Sequence, residues 1–235
     1  MKAVILAGGK GRRLAPYTTI LPKPLIPVGD KPILDLIIRQ LARHGFTDIT
    51  LAVGHLAELL MAYFEDGSRF GVRITYSREE EPLGTAGPLA LIPGLDKRFL
   101  VMNGDVLTDL DFGAMVDAHV ASGAFATIAV CPRRVEIDLG VIEHDENFCL
   151  TRYIEKPAHD FRASMGIYVL EPAILCHLRA GERADLPDLM QKLIPTGARV
   201  QCFPFDGYWQ DIGRPGDHAR AVEALETYGV GRFLK

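Results

Sequence analysis

The chain has 235 residues, 48% hydrophobic and 24% charged, with a net charge of −4. That balance matches the soluble globular average and excludes disordered, collagenous and coiled-coil chains. Its longest apolar runs, such as Ala3 to Ala7, fall far short of the ~18–20 residues of a membrane span. The acidic balance also argues against nonspecific binding to nucleic acid.

Taken in chain order, Lys2–Ala7 reads as a buried first strand. Asp30 is expected to cap a helix with Pro32 in its first turn; Leu34, Ile37, Ile38 and Leu41 follow at helical spacing, and Gly45 stops it. Asp48–Val53 is a second strand. Leu56, Leu59, Leu60, Tyr63 and Phe64 mark the next helix, which ends near Gly67. Val72–Ser77 and Arg98–Asn103 are strands, Phe112–Ala121 a helix and Phe125–Cys131 a fifth strand.

Beyond Pro132 the rhythm changes. Leu139–Glu143, Cys149–Ile154 and Ser164–Leu170 are strand-like with little helix between them, which predicts a more antiparallel region. Helices return at Pro172–Leu178, Leu186–Leu193 and Pro215–Thr227, and the tail from Gly229 to Lys235 is expected to fray. There is no internal repeat and no linker long enough to separate independent domains. The pattern predicts one α/β domain, a Rossmann-like, mostly parallel sheet flanked by helices, with a smaller mixed or antiparallel lobe in its second half.

Cys131, Cys149, Cys176 and Cys202 are widely spaced, as suits reduced thiols rather than a disulfide frame or a zinc site. The basic cluster follows the first apolar run instead of preceding it, the reverse of a secretory signal. Both features predict a cytoplasmic protein. The seven histidines are scattered, with no pair at metal-ligand spacing.

Charge is unevenly distributed. Residues 1–29 contain Lys2, Lys10, Arg12, Arg13 and Lys23 and no carboxylate, so a basic, Gly- and Pro-rich segment opens a mildly acidic protein. Open parallel sheets bind ligands beyond the carboxyl ends of their strands, and the loop after the first strand is Gly8-Gly9-Lys10-Gly11-Arg12-Arg13-Leu14. Its glycines free backbone N–H groups to face anions. A dinucleotide fingerprint starting at Gly9 fails at Leu14, and a P-loop fails because Gly11 follows Gly9-Lys10 where Ser or Thr is needed. Pro16, Pro22, Pro24 and Pro27 also keep a helix from starting directly after the loop.

The run Leu6-Ala7-Gly8-Gly9-Lys10-Gly11-Arg12-Arg13-Leu14, then Pro16, Thr18 and Pro22-Lys23-Pro24-Leu25-Ile26-Pro27, closely resembles the opening of sugar-1-phosphate nucleotidylyltransferases. The family usually has Thr where this chain has Arg12. Further matches are Glu81-Pro82-Leu83-Gly84-Thr85-Ala86-Gly87, Asn103-Gly104-Asp105, Glu155-Lys156-Pro157 and Trp209-Gln210-Asp211-Ile212-Gly213, so the resemblance spans nearly the whole chain. It implies a GT-A-like fold, with a nucleotide-binding portion over about 1–131, a sugar-phosphate portion over about 132–214 and a C-terminal helix over about 215–228. Longer family members continue into a left-handed β-helix domain, which is not expected within these 235 residues.

The resemblance implies condensation of a nucleoside triphosphate with a sugar 1-phosphate, releasing pyrophosphate. The nucleophile is already anionic near pH 7, so positioning and charge neutralisation should carry the catalysis. By their match to the family motif, Arg13 should hold the triphosphate and Lys23 the oxygens around the α-phosphorus. Arg12 and Lys10 either contact phosphate or face water. Leu6, Ala7, Gly8, Gly9, Gly11, Glu79 and Gly84 should complete the nucleotide site. Asp105 and Asp211 match the family's metal aspartates, two carboxylates that suit Mg²⁺. Gly140, Glu155 and Lys156 should meet the sugar phosphate.

Where relatives often read N-A-G-I-Y, this chain has Ser164-Met165-Gly166-Ile167-Tyr168, which leaves the sugar open among hexoses, heptoses and amino sugars. Glu79 stands where uridylyl and thymidylyl relatives often carry Gln. An ionised Glu accepts only, which suits the paired N–H donors of guanine, and the Ser77–Leu89 stretch resembles mannose-1-phosphate guanylyltransferases. Glu80 and Glu81 remain alternatives for that contact. The resemblance thus favours GTP with mannose 1-phosphate or a related sugar phosphate. Uridylyl or thymidylyl transfer, and an inactive, regulatory sugar-nucleotide-binding subunit, are the alternatives; a homo-oligomer is left open.

Overall fold

A computed structural model describes residues 1–234. In chain order it contains β1 (Lys2–Leu6), β2 (Pro27–Val28), β3 (Lys31–Pro32), α1 (Ile33–Arg43), β4 (Asp48–Val53), α2 (Ala57–Phe64), β5 (Arg73–Arg78) and β6 (Phe99–Asn103). There follow β7 (Val106–Thr108), α3 (Phe112–Ser122), β8 (Ala126–Glu136), β9 (Val141–His144), β10 (Leu150–Ile154) and β11 (Ala158–Leu170). The chain then forms α4 (Leu186–Leu193), β12 (Val200–Pro204), β13 (Trp209–Asp211), α5 (Pro215–Tyr228) and α6 (Val230–Phe233).

Seven strands form one sheet in the order β12-β8-β11-β6-β1-β4-β5. All run parallel except β11, which is antiparallel to both β6 and β8. Both faces are covered, which is why the inner strands are apolar at nearly every position. Ala3 and Ile5 of β1 face α1, α2 and α5 in one core, while Val4 faces the other with Leu186, Leu189 and Leu193 of α4. The chain turns to opposite sides of β1 to reach β4 and β6, so the crevice beyond the ends of β1 and β6 lies at a topological switch point.

Several local expectations need correction. Asp30 caps no helix: Lys31–Pro32 pairs with Pro27–Val28, and Lys31, held extended by the proline that follows it, postpones α1 to Ile33. Pro172–His177 is a 3-10 helix, a geometry suited to so short a segment. The fifth strand continues to Glu136, and Ser164–Leu170 is the end of a strand that begins at Ala158. The tail does not fray as far as it is described. Phe233 is buried against Tyr208 with ring centroids 5.2 Å apart, and Arg232 Nε donates to Asp109 Oδ2 at 2.7 Å. Lys235 lies outside the described residues.

Beyond the compact sheet, β8 and β11 run on together as a two-stranded arm, from Cys131–Ala163 to Glu136–Ala158. The hairpin of β9 and β10 completes this lobe. Two short strands matter more for the site: β7 and β13 pair antiparallel, Val106 opposite Asp211.

Candidate functional site

A cleft of about 570 Å³ opens beyond β1 and β6. Leu6, Ala7, Gly8, Gly9, Gly11, Arg13, Lys23, Glu79, Gly84 and Asp105 all line it, so the ten residues expected around the nucleotide surround one space. Lys10 and Arg12 line it too. The basic loop is closed on itself by the Thr18 hydroxyl, which donates to the Gly11 carbonyl at 2.9 Å. After that closure a 3-10 turn over Lys23–Leu25, with Pro24 and Leu25 buried, fixes Lys23 at the cleft floor.

The two expected aspartates meet at Lys23. Its ammonium contacts Asp105 Oδ2 and lies 3.8 Å from Asp211 Oδ1. Asp105 follows β6 at the ligand edge of the sheet. The β7–β13 pairing brings Asp211 to it, and the Ile212 N–H donates to the Asp105 carbonyl at 3.0 Å. Trp209 anchors the start of β13: its indole donates to the Met165 carbonyl at 2.9 Å, while Arg133 covers the ring at 4.6 Å and donates to the Trp209 carbonyl. Burial, and then the nearby charge of Asp105, push the Asp211 carboxyl above its ordinary range, against the opposing pull of Lys23 and Arg13.

These features fit a hard divalent cation. Asp105 Oδ1 is buried and has no hydrogen-bond partner. Two carboxylates suffice for Mg²⁺ when phosphates and waters complete the shell. Among the described residues there is no cluster of three or more potential His, Cys, Asp or Glu ligands.

Glu79 forms the opposite wall. Its Oε2 accepts from the Leu83 N–H at 3.0 Å, and its Oε1 fills the space where any side chain on Gly8 would stand. It therefore presents an acceptor to the cleft from a fixed position. Glu80 and Glu81 border an adjoining hollow that shares Gly8, Lys10, Glu79 and Pro82 with the cleft. Pro82, Thr85 and Asn103, which sequence reasoning does not single out, also line the cleft. Their signal lies in the motif runs that contain them.

Gly140, Glu155 and Lys156 are not among the residues lining this cleft. They lie on the lobe, where Gly140 packs against the Tyr153 ring and Lys156 pairs with Asp138 at 2.6 Å. Glu155 and Lys156 are both exposed. Ser164 and Gly166 sit at a register break in β11, where the Ser164 and Tyr168 hydroxyls lie 3.2 Å apart and Gly166 packs against the Asn103 side chain.

Fold and site together define an α/β protein with a basic cleft at the carboxyl edge of its sheet, where Lys23 meets two carboxylates. The chain belongs to the nucleotidyl transferase family, whose sequence profile matches residues 2–227. It is 38% identical to a UTP–glucose-1-phosphate uridylyltransferase of Synechocystis over 96% of its length, and 38% identical to a mannose-1-phosphate guanyltransferase of Candida albicans over 92%. It spans 63% and 62% of those two proteins. A solved structure from Bacillus anthracis, named as a candidate glucose-1-phosphate thymidylyltransferase, superposes with a TM-score of 0.75 at 26% identity, covering 95% of this chain and 94% of that one. HddC from Yersinia pseudotuberculosis shares the fold, with a TM-score of 0.71 at 24% identity and coverage of 95% and 99%. Among the described residues no helix is long and apolar enough to cross a membrane.

Proposed function

We propose that the chain transfers a nucleotidyl group from a nucleoside triphosphate to a sugar 1-phosphate, with GTP and mannose 1-phosphate or a related hexose or heptose phosphate as the preferred pair. The observation that carries this reading is the meeting of Lys23 with Asp105 and Asp211 beneath the glycine loop. An anionic oxygen of the sugar phosphate attacks the α-phosphorus. A new P–O bond forms as the bond to the bridging oxygen of pyrophosphate breaks, and no proton need move. Arg13 binds triphosphate oxygens through its planar fork. Lys23 offsets the charge that builds around the α-phosphorus. Asp105 and Asp211 would hold a Mg²⁺ ion, which when bound neutralises further phosphate charge.

For the sugar end, Lys156 would neutralise the 1-phosphate and Glu155 accept from hydroxyls, with Gly140 giving the ligand backbone access. Glu79 supports guanine through its acceptor-only carboxylate, as do the relatives named mannose-1-phosphate guanyltransferase. The match to a uridylyltransferase favours UTP as the second reading. The separated cysteines, free among the described residues, agree with a cytoplasmic setting.

The test is pyrophosphate release with Mg²⁺, crossing GTP, UTP, dTTP, CTP and ATP against a panel of sugar 1-phosphates. A GTP column is expected, and a UTP or dTTP column overturns the base assignment. Silence across the panel, with nucleotide sugars still bound, replaces catalysis with a regulatory role.

A further inference from the structure

The cleft wall that carries Gly84 is fastened to a segment a hundred residues away, and the fastening is unusual. Asp185 occupies the N-cap position of α4, yet its side chain makes no capping bond to its own helix, whereas an Asp at that position ordinarily accepts from the first-turn N–H groups. Its Oδ1 turns outward and accepts from the Thr85 N–H at 2.9 Å and the Thr85 hydroxyl at 3.2 Å. The same hydroxyl accepts from the Leu186 N–H at 2.7 Å. The remote threonine therefore caps the helix, while the local aspartate holds the cleft wall.

Backbone bonds reinforce this exchange. The Ala184 carbonyl accepts from the Ala86 and Gly87 N–H groups at 2.8 and 3.0 Å, and the Ala184 N–H donates to the Leu83 carbonyl at 3.0 Å. Contact is so close that a Cβ on Gly84, which has a φ of +79°, would stand 2.5 Å from the Ala184 carbonyl oxygen and 2.6 Å from Asp185 Oδ1. At its other end the wall is held by Glu79 through Leu83. Glu79 and Asp185 thus grip the segment 83–85 from both sides, and the face between them lines the cleft.

We propose that Asp185 is a positioning residue for the nucleotide, setting triphosphate affinity and base discrimination through Thr85 without touching the ligand. This rests on the reading that the cleft binds a nucleoside triphosphate. Freed of Asp185, the Gly84–Thr85 turn between the retained backbone bonds of Leu83 and Ala86 can shift relative to the base. The reacting groups Arg13, Lys23 and Asp105 stand on other segments and keep their places. A loss of this kind falls on KM for the nucleotide and spares kcat.

The experiment measures GTP and UTP binding by calorimetry, together with steady-state kinetics, for the wild type, Asp185→Ala, Asp185→Asn and Thr85→Val. Asp185→Ala and Thr85→Val should each weaken GTP about tenfold and narrow the GTP-to-UTP ratio, with kcat within about twofold. Asp185→Asn keeps an acceptor oxygen for both Thr85 donors and should stay within about twofold of the wild type. A merely structural role would lower the melting temperature and leave the base ratio alone. Unchanged GTP affinity and discrimination in Asp185→Ala and Thr85→Val would overturn the inference while the wild type still binds. A wild type that binds no nucleoside triphosphate removes the underlying reading, and the inference with it. Should Asp185→Ala fail to fold, Asp185→Ser, whose shorter side chain can cap its own helix but not reach Thr85, carries the same comparison.

Discussion

At the cleft Lys23 is tied to carboxylates far away in the sequence; on the β8–β11 arm and its hairpin charged side chains pair with one another in water. Lys23, with a side chain only 14% exposed, meets Asp105, 82 residues further along the chain, and Asp211. Lys156 pairs with Asp138, Arg152 with Glu143 and Arg134 with Glu136, all between exposed side chains. Exposed pairs contribute roughly 0–1 kcal/mol each, so they place the lobe's charges only loosely. The cleft is pre-organised by the core beneath it, as charge stabilisation at a reacting centre requires. The β9–β10 hairpin buries almost nothing, so the lobe should open more readily than the sheet. The two ends of the proposed reaction should therefore fail differently when disturbed.

The sharpest way to break this comparison is Asp105→Asn. In the proposed mechanism its charge acts in catalysis, so turnover should fall at least ~1,000-fold. The fold should persist, because the amide preserves the side chain's size, its oxygen can still accept from Lys23, and Oδ1 has no partner to lose. Pyrophosphate release and a thermal melt would check both halves. Near-normal turnover would remove Asp105 from the machinery.

On the lobe, Lys156→Ala should raise KM for the sugar 1-phosphate about tenfold, the cost of losing one charge-assisted contact. KM for the nucleotide should not move. The melting temperature should also hold, since the Asp138 pair that is lost is exposed on both sides. A larger effect on the nucleotide than on the sugar phosphate would erase the division between the two regions.

The same division governs what could be read from the sequence. Strand β4 and helix α4 stand where local pattern places them, because a short apolar run and helical spacing are properties of the segment itself. That Arg13, Lys23 and Asp105 share one cleft was legible because all three occupy motif runs, Arg13 in the loop after β1 and Asp105 just behind the apolar β6. The pairing of β7 with β13 was not, since three-residue strands carry too little pattern to announce themselves. Yet that pairing sets Asp211 beside Asp105. The Thr85–Asp185 contact was hidden for a related reason: an Asp just before a helix ordinarily caps that helix, and only the folded chain shows the Asp185 carboxylate turned away. The full length of β8 and β11 was obscured because their outer halves are polar and lie beyond the core.

The smallest expected effect concerns stability, and Asp211 supplies it. Burial and the Asp105 charge raise its pKa above the ordinary 3.8, so the folded protein holds this proton more tightly than the unfolded chain does. By linkage, the ionised carboxylate weakens the fold at pH values above the raised pKa, and the penalty fades as the pH falls through that value towards and below 3.8. Without divalent cations, Asp211→Asn should therefore melt slightly higher than the wild type near neutral pH, by no more than about 2–3 °C. The gap should close in acid. The side chain is 42% exposed, so solvent screens most of the effect. The same variant should lose activity, since it gives up one of two proposed metal carboxylates. A lower melting temperature at neutral pH would mean that attraction to Lys23 and Arg13 outweighs burial, and that the carboxylate pair is a brace of the fold as well as a ligand site.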